Sequence, residues 1–320
     1  MQRARWVRQS ICGHEHCGRY PIPDTCIDQC GYQTQPLPIL NSITVSELQS
    51  ALLCRARYFF RHVLGLDALC EFEPGIPPLE RGKNIHAILA SFVLRAMEDL
   101  KDSDAGLEGL ADLLKKTATD IIKPRLCNAV WQVELERLTG RPGYSGLLLK
   151  WLYDGWERML DGWRWVTVER QFEGLEIDGC KVVLRGRVDR IDSHPEQGLM
   201  CWDYKTGRLP SRTQVIEENT QPQLPAYLLA LSRGKITGTP KADECGAGFI
   251  ELTSPGKMKH QVVFDPAVDH GSFLKNWEEA VSAALNSIFA GDLSPLWLKD
   301  ERVCEERCEF RGICGEFLIT

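Results

Sequence analysis

The stretch that decides the fold runs from Gly186 to Gly207, GRVDRIDSHPEQGLMCWDYKTG. Successive side chains of a strand point to opposite faces of a sheet. In WDYK this puts Asp203 and Lys205 on one face and Trp202 and Tyr204 on the other. In the segment before it, Arg185, Arg187 and Asp189 share a face, and Leu184, Gly186 and Val188 take the opposite one. Ser193 to Gly198 between them is a turn-forming run, which predicts an antiparallel hairpin, with Asp192 read as a turn residue. Pairing through that turn brings Asp189 and Asp203 together at one end of the sheet. Two carboxylates that close repel unless a cation lies between them. Mg²⁺ or Mn²⁺ suits such a pair, because hard divalent cations take carboxylate oxygens and waters. Lys205 would then orient an attacking water or offset charge on a phosphoryl group. The plain alternative is a surface hairpin whose Asp203 and Lys205 are solvated neighbours.

Outward from this hairpin the periodicity divides the chain. Upstream, RWVTVERQFEGLEIDG (164–179) reads as a strand, making a three-strand meander with the other two. Before residue 164 the pattern is helical. Ser46 and Gln49 form a capping-box sequence opening a helix that Gly65 stops. Further helices are predicted from about Arg81 to Leu100, at 107–122 and at 144–161. Downstream, TQPQLPAYLLALSR gives a helix regular after about residue 224, and ECGAGFIELTS a strand. Residues 268–290 predict a long helix with Phe273, Trp277, Ala280, Ala284 and Ile288 inward. The expected fold is α/β with α+β character: a mixed sheet flanked by helices, its N-terminal half helical. Residues 1–40 show neither periodicity and read as an irregular leader with Cys12, Cys17, Cys26 and Cys30; residues 41–320 form one domain.

Composition supports a globular chain. Of 320 residues 43% are hydrophobic and 26% charged, which excludes disorder. Thirteen cysteines, an odd number with scattered spacing, argue against a secreted disulfide framework and for reduced thiols in a cytoplasmic protein. No run of about 18 apolar residues predicts a membrane span. The net charge of -6 gives no global attraction to polyanions, so any nucleic-acid site must be a local basic surface. Lys181, Arg185, Arg187, Arg190, Lys205, Arg208 and Arg212 outnumber the acids among them and supply one, suited to sequence-independent, salt-sensitive phosphate contacts.

GRVDRID, DYKTG and the following QLPAYLLAL together resemble the PD-(D/E)xK nuclease superfamily, in particular its RecB-like and AddB-like exonuclease domains, over roughly residues 42–316. The resemblance implies a restriction-endonuclease-like core and a metal-dependent DNA exonuclease acting in double-strand-break repair and recombination alongside a helicase. It implies Asp189, Asp203 and Lys205 as catalytic residues, with Asp189, Asp203 and His86 (in LERGKNIHAIL) as metal ligands. Gln223 and Tyr227 match the family's Q-x3-Y element, which supports the active site or substrate strand. Glu169 resembles an acidic position preceding the meander and reads equally well as a solvated charge. The alternatives are a stand-alone CRISPR-associated RecB-like nuclease and a non-catalytic DNA-binding module. No G-x4-G-K-[ST] phosphate loop occurs, so the resemblance places the helicase outside this sequence.

The tail, VCEERCEFRGICGEF, carries Cys304, Cys308 and Cys314. Three clustered thiols call for a fourth, since cubane clusters are generally held by four cysteines. AddB-like nucleases place it in an early helix, which implies that Cys54 of CRARYFF joins the three to hold a [4Fe-4S] cluster stapling both ends of the domain. The family usually has two residues between the first two tail cysteines and this chain has three, and zinc on the same thiols is the competing assignment.

Overall fold

The computed structural model describes residues 40–67, 75–102, 106–242, 244–253, 258–293 and 308–310. A six-stranded mixed sheet, ordered β1-β3-β4-β5-β6 with β2 also paired to β3, lies between two helical layers. The strands are β1 (Ser42–Thr44), β2 (Arg164–Leu175), β3 (Val183–His194), β4 (Gly198–Lys205), β5 (Cys245–Glu251) and β6 (Lys259–Phe264). The helices are α1 (Val45–Leu53), α2 (Arg55–Tyr58), α3 (Pro78–Asp102), α4 (Leu107–Ile122), α5 (Ala129–Thr139), α6 (Leu147–Leu160), α7 (Arg212–Ile216), α8 (Gln223–Ser232) and α9 (Gly271–Phe289). On one face α1, α8 and α9 pack over Phe172, Leu184, Val188 and Phe249; on the other α3 to α6 pack over Trp165, Met200, Trp202 and Tyr204.

The meander β2-β3-β4 is antiparallel throughout, as its period of two predicts. The rest of the sheet depends on distant pairings. β4 runs parallel to β5 from Leu199↔Cys245 to Lys205↔Glu251, and β6 closes the edge antiparallel to β5. β3 carries β2 along one edge, from Leu175↔Leu184 to Arg164↔Ser193. Its other edge is shared: β1 takes Val183 to Arg185 in parallel, and β4 takes Arg190 to His194 antiparallel. Residues 186–189 lie between these two partners. At Gly186 a Cβ would stand 2.5 Å from the Phe172 ring and 2.9 Å from Val45, so only glycine lets the strand pass there.

Several local expectations shift. The capping box that opens α1 is Thr44 with Glu47, ahead of the expected Ser46 with Gln49, because the chain leaves β1 directly into the helix. That helix is interrupted at Cys54, whose backbone is extended at φ -163 and ψ 122, then resumes as α2 and ends in a π-helical turn, Phe59–Val63. The helix containing His86 begins at Pro78, with proline accommodated in the first turn. α8 starts at Gln223, with Pro222 at its N-cap and Pro225 still in the first turn, where no intrahelical N–H is required. On α9 the buried stripe is Leu274, Trp277, Val281, Leu285 and Ile288, a phase rotated from the expected one; Phe273 and Ala284 are only partly covered and Ala280 likewise. Strand β3 continues through Asp192 to His194, so Asp192 is a buried strand residue and not part of a turn.

Candidate metal and phosphodiester site

The shared edge of β3 creates the site. β3 and β4 pair only up to Arg190↔Trp202 and then part, so the next residues toward the site, Asp189 and Asp203, have no ladder partner in each other. The Tyr204 N–H, which would otherwise be orphaned in the opening, donates to Asp189 Oδ2 at 2.8 Å. Asp189 thereby points its other oxygen toward α3, where His86 Nδ1 lies 3.4 Å from Oδ1.

Glu169 completes this group through a break in alternation. It sits in the middle of β2 at φ +52, a left-handed conformation costly for a residue with a Cβ. Val168 before it faces the α3 to α6 layer and Phe172 after it the opposite layer, so the strand changes faces here. The same distortion aims the Glu169 carboxylate at Asp189. One ligand atom each from His86, Glu169 and Asp189 lie within 4.8 Å of one another. Regular alternation cannot place Glu169 there, which is why periodicity leaves it open between an acidic site position and a solvated charge.

Asp203 and Lys205 face the α8 side. Lys205 Nζ is 2.8 Å from Asp203 Oδ2, and the Tyr227 hydroxyl of α8 donates to Asp203 Oδ1 at 3.3 Å. Gln223, one turn earlier on α8, donates through Nε2 to Gln49 of α1 at 2.8 Å, tying the two helices beside the opening; its buried Oε1 has no hydrogen-bond partner among the described residues. The predicted residues therefore form two adjoining sets, His86 with Asp189 and Asp203 with Lys205 and Tyr227, and Glu169 joins the first.

The electrostatics are those of crowded acids. Burial holds the Asp203 carboxyl above its ordinary range; Lys205 pulls it down and Asp189 pushes it up. Burial raises Glu169 as well, and Asp189 adds to this while Arg187, at 2.7 Å, opposes it. For His86 burial favours the neutral ring, but the hydrogen bond and charge of Asp189, with Asp203 and Glu169 behind it, outweigh burial and raise its pKa above 6.5. Burial is the larger cause for Asp203 and Glu169, and neighbouring acids contribute to all three shifts; that negative charge is what a divalent cation would relieve. An imidazole with carboxylates at this spacing fits Mn²⁺ or Mg²⁺.

Of the basic residues expected to grip phosphates, Arg190 is withdrawn: it is 1% exposed and paired with Asp192. Arg187 is 59% exposed at its side chain despite its ion pair, and Lys181, Arg208 and Arg212 are exposed. Among the proposed cluster cysteines, Cys54 and Cys308 pack against the same core. Burial pushes the Cys308 thiol up, with smaller contributions from Glu309 and from Cys54 itself. Beside them Phe310 meets Phe60 at 5.6 Å, and Glu309 accepts from Arg57 and Arg61 at 3.1 and 2.9 Å. Cys304, Cys314 and the leader cysteines lie outside the described residues. Among the described residues no helix is long and apolar enough to cross a membrane.

Residues 42–315 match the family model described as the PD-(D/E)XK nuclease superfamily. The chain is 30% identical over 217 residues to a subunit of the ATP-dependent helicase/deoxyribonuclease of Symbiobacterium thermophilum, covering 60% of this chain and 18% of that protein. It is 25% identical over 296 residues to the protein of the same description from Moorella thermoacetica, covering 82% of this chain and 23% of the relative. The chain thus spans about a fifth of the length of these relatives. A shorter match, 33% over 101 residues, is to an adenine phosphoribosyltransferase of Synechococcus sp. (strain CC9902) and covers 28% of this chain.

Proposed function

We propose that this chain, which belongs to the PD-(D/E)XK nuclease superfamily, is a divalent-metal-dependent DNA exonuclease that hydrolyses phosphodiester bonds in break repair and recombination, working beside a helicase. The observation that carries the reading is the meeting of His86, Glu169 and Asp189 within 4.8 Å, next to the Asp203–Lys205 pair. In this reading His86, Asp189 and Asp203 hold Mg²⁺ or Mn²⁺, with Glu169 as a further ligand. When bound, such an ion lowers the pKa of a water and offsets charge on the phosphoryl group. The chain's own residues do the rest. Lys205 holds and orients the nucleophilic water and stabilises negative charge as it builds on the phosphate. Asp203 fixes the Lys205 ammonium at 2.8 Å, and Tyr227, kept neutral by burial, fixes Asp203 in turn. Lys181, Arg187, Arg208 and Arg212 contact phosphates without reading bases, which makes binding independent of sequence and steeply dependent on salt.

The helicase partner is inferred from the names of the two bacterial relatives, each a component of an ATP-dependent helicase/deoxyribonuclease. We extend the reading to a [4Fe-4S] cluster on Cys54, Cys304, Cys308 and Cys314. It is supported by the docking of the 308–310 segment against α2, beside Cys54. Anaerobic purification with iron, zinc and sulfide analysis tests it: iron and sulfide in the ratio of a cubane cluster are expected, and stoichiometric zinc overturns it.

The nuclease reading is tested with end-labelled single-stranded DNA and Mg²⁺ or Mn²⁺. Lys205→Ala is expected to lower the cleavage rate by about 10²–10⁴-fold, the range typical of a positioned proton-transfer or charge-stabilising group. DNA binding, followed by fluorescence anisotropy, should persist. Cleavage at the wild-type rate in this variant removes the proposed site.

A further inference from the structure

Behind the site, on the face of β3 and β4 covered by α6, lies a second charged cluster that the reaction does not use. Arg190 and Asp192 are 1% and 2% exposed. Arg190 Nη2 donates to Asp192 Oδ2 at 3.0 Å, and its Nε lies 2.9 Å from Oδ1. Trp202 Nε1 donates to the same Oδ2 at 2.9 Å. Arg158 of α6 is sandwiched between the Trp163 and Trp202 rings at 4.7 and 4.9 Å, with Nη2 3.9 Å from Asp192. The remaining arm of Arg190 leads out of this cluster: Nη1 donates to the Tyr204 hydroxyl at 2.9 Å.

Tyr204 is where the two clusters meet. Its backbone N–H holds Asp189 Oδ2 at 2.8 Å, and its ring stands edge-on to His86 with centroids 5.7 Å apart. It also separates Asp203 from Lys205 along β4. A buried ion pair gives little net stability over a well-packed apolar replacement, so stability alone is a poor reason for burying Arg190 and Asp192 here, with Arg158 half-buried beside them. A planar guanidinium fork, by contrast, fixes its partners in both distance and angle.

We propose that Arg190 and Asp192 are positioning residues: the Asp192 carboxylate sets the Arg190 fork, the fork sets the Tyr204 ring, and Tyr204 sets both Asp189 and His86. This rests on the metal site proposed above and adds the groups that hold it in shape. Partners that orient metal ligands from behind typically change metal affinity or activity by about 10–100-fold when lost.

Tyr204→Phe is the decisive variant, because it keeps the ring, the backbone N–H and the core volume and removes only the Arg190 contact. Asp192→Asn tests the same chain one step further back. Mn²⁺ binding by isothermal titration calorimetry, the Mn²⁺ concentration giving half-maximal cleavage, and thermal unfolding of metal-free protein are measured on each. Tyr204→Phe is expected to bind Mn²⁺ about 10-fold more weakly, to regain most of its cleavage rate when Mn²⁺ is raised in the same proportion, and to unfold close to the wild-type temperature. An unchanged Mn²⁺ affinity in folded Tyr204→Phe overturns the proposal and makes the cluster merely structural. Failure of the wild-type protein to bind Mn²⁺ at all refutes the metal reading itself, a separate outcome seen in the control.

Discussion

The two charged clusters on β3 and β4 are built from the same strands, a few residues apart, with opposite electrical balance. The one opening toward α3 and α8 gathers Glu169, Asp189 and Asp203 against Lys205 and Arg187. The one under α6 gathers Arg158 and Arg190 against Asp192 alone. In the first, burial and mutual repulsion raise Asp203 and Glu169. In the second, burial works against the Arg190 charge but Asp192 and Tyr204 outweigh it, leaving the guanidinium held more firmly than usual. The contrast separates a group built to receive a cation from one that already has its cations. Buried or unbalanced charge alone does not mark a cation site, since the rear cluster carries a positive surplus; a negative surplus does.

The contrast is broken most severely at Asp192. Removing the single acid from the rear cluster strands the buried Arg190 and takes away the acid beside the half-buried Arg158, and loss of one partner of a buried pair typically costs about 3–5 kcal/mol. Asp192→Asn is therefore expected to lower the unfolding free energy by about that amount in a urea titration. An effect under about 1 kcal/mol would mean the pair is open to water. The corresponding change in front, Glu169→Gln, removes one of several crowded acids and relieves repulsion. Metal-free stability should hold or rise slightly, while Mn²⁺ affinity falls by about 10–100-fold, read by calorimetry. If Glu169→Gln binds Mn²⁺ like the wild type, Glu169 is only the counter-ion of Arg187.

The smallest effect is on pH. His86, Glu169 and Asp203 all carry folded pKa values raised above their ordinary ones. The folded metal-free protein thus binds more protons than the unfolded chain between the ordinary carboxylate range and the raised imidazole value, so its stability falls as pH rises through that window. Urea titrations in chelator should show this slope. The triple change His86→Gln, Glu169→Gln, Asp203→Asn should flatten it, and saturating Mn²⁺ should reverse it, because the ion displaces those protons. A slope unchanged in the triple variant would place its origin elsewhere in the chain.

Legibility in the sequence follows the same division. Alternation in WDYK puts Asp203 and Lys205 on one face and Trp202 and Tyr204 on the other, and the two helical layers of the fold respect that division. His86 carries no local signal beyond an apolar helix and comes only from the resemblance. Glu169 is suggested only by the resemblance and stays undecided there, because its placement needs a left-handed residue inside a strand, which a period of two cannot express. Asp192 reads as a turn residue because a polar residue before a hairpin turn usually faces water, and nothing local reveals that Arg190, Arg158 and Trp202 converge on it. β1 and β6 are short and partly polar, stabilised by partners elsewhere in the chain. Their existence is a tertiary fact.

The division of one edge of β3 between β1 and β4 also bears on how the protein is born. β1 is made first, but its partners are Val183 to Arg185, and β4 in turn leans on β5, made later still. Pairings between distant segments form late, because loop closure must be met before the contacts exist. During synthesis His86 and Glu169 emerge well before the strand and helix that supply Asp203, Lys205 and Tyr227. The residues proposed for the site are therefore all present in a nascent chain only once α8 has been made, and β4 gains its second neighbour only with β5.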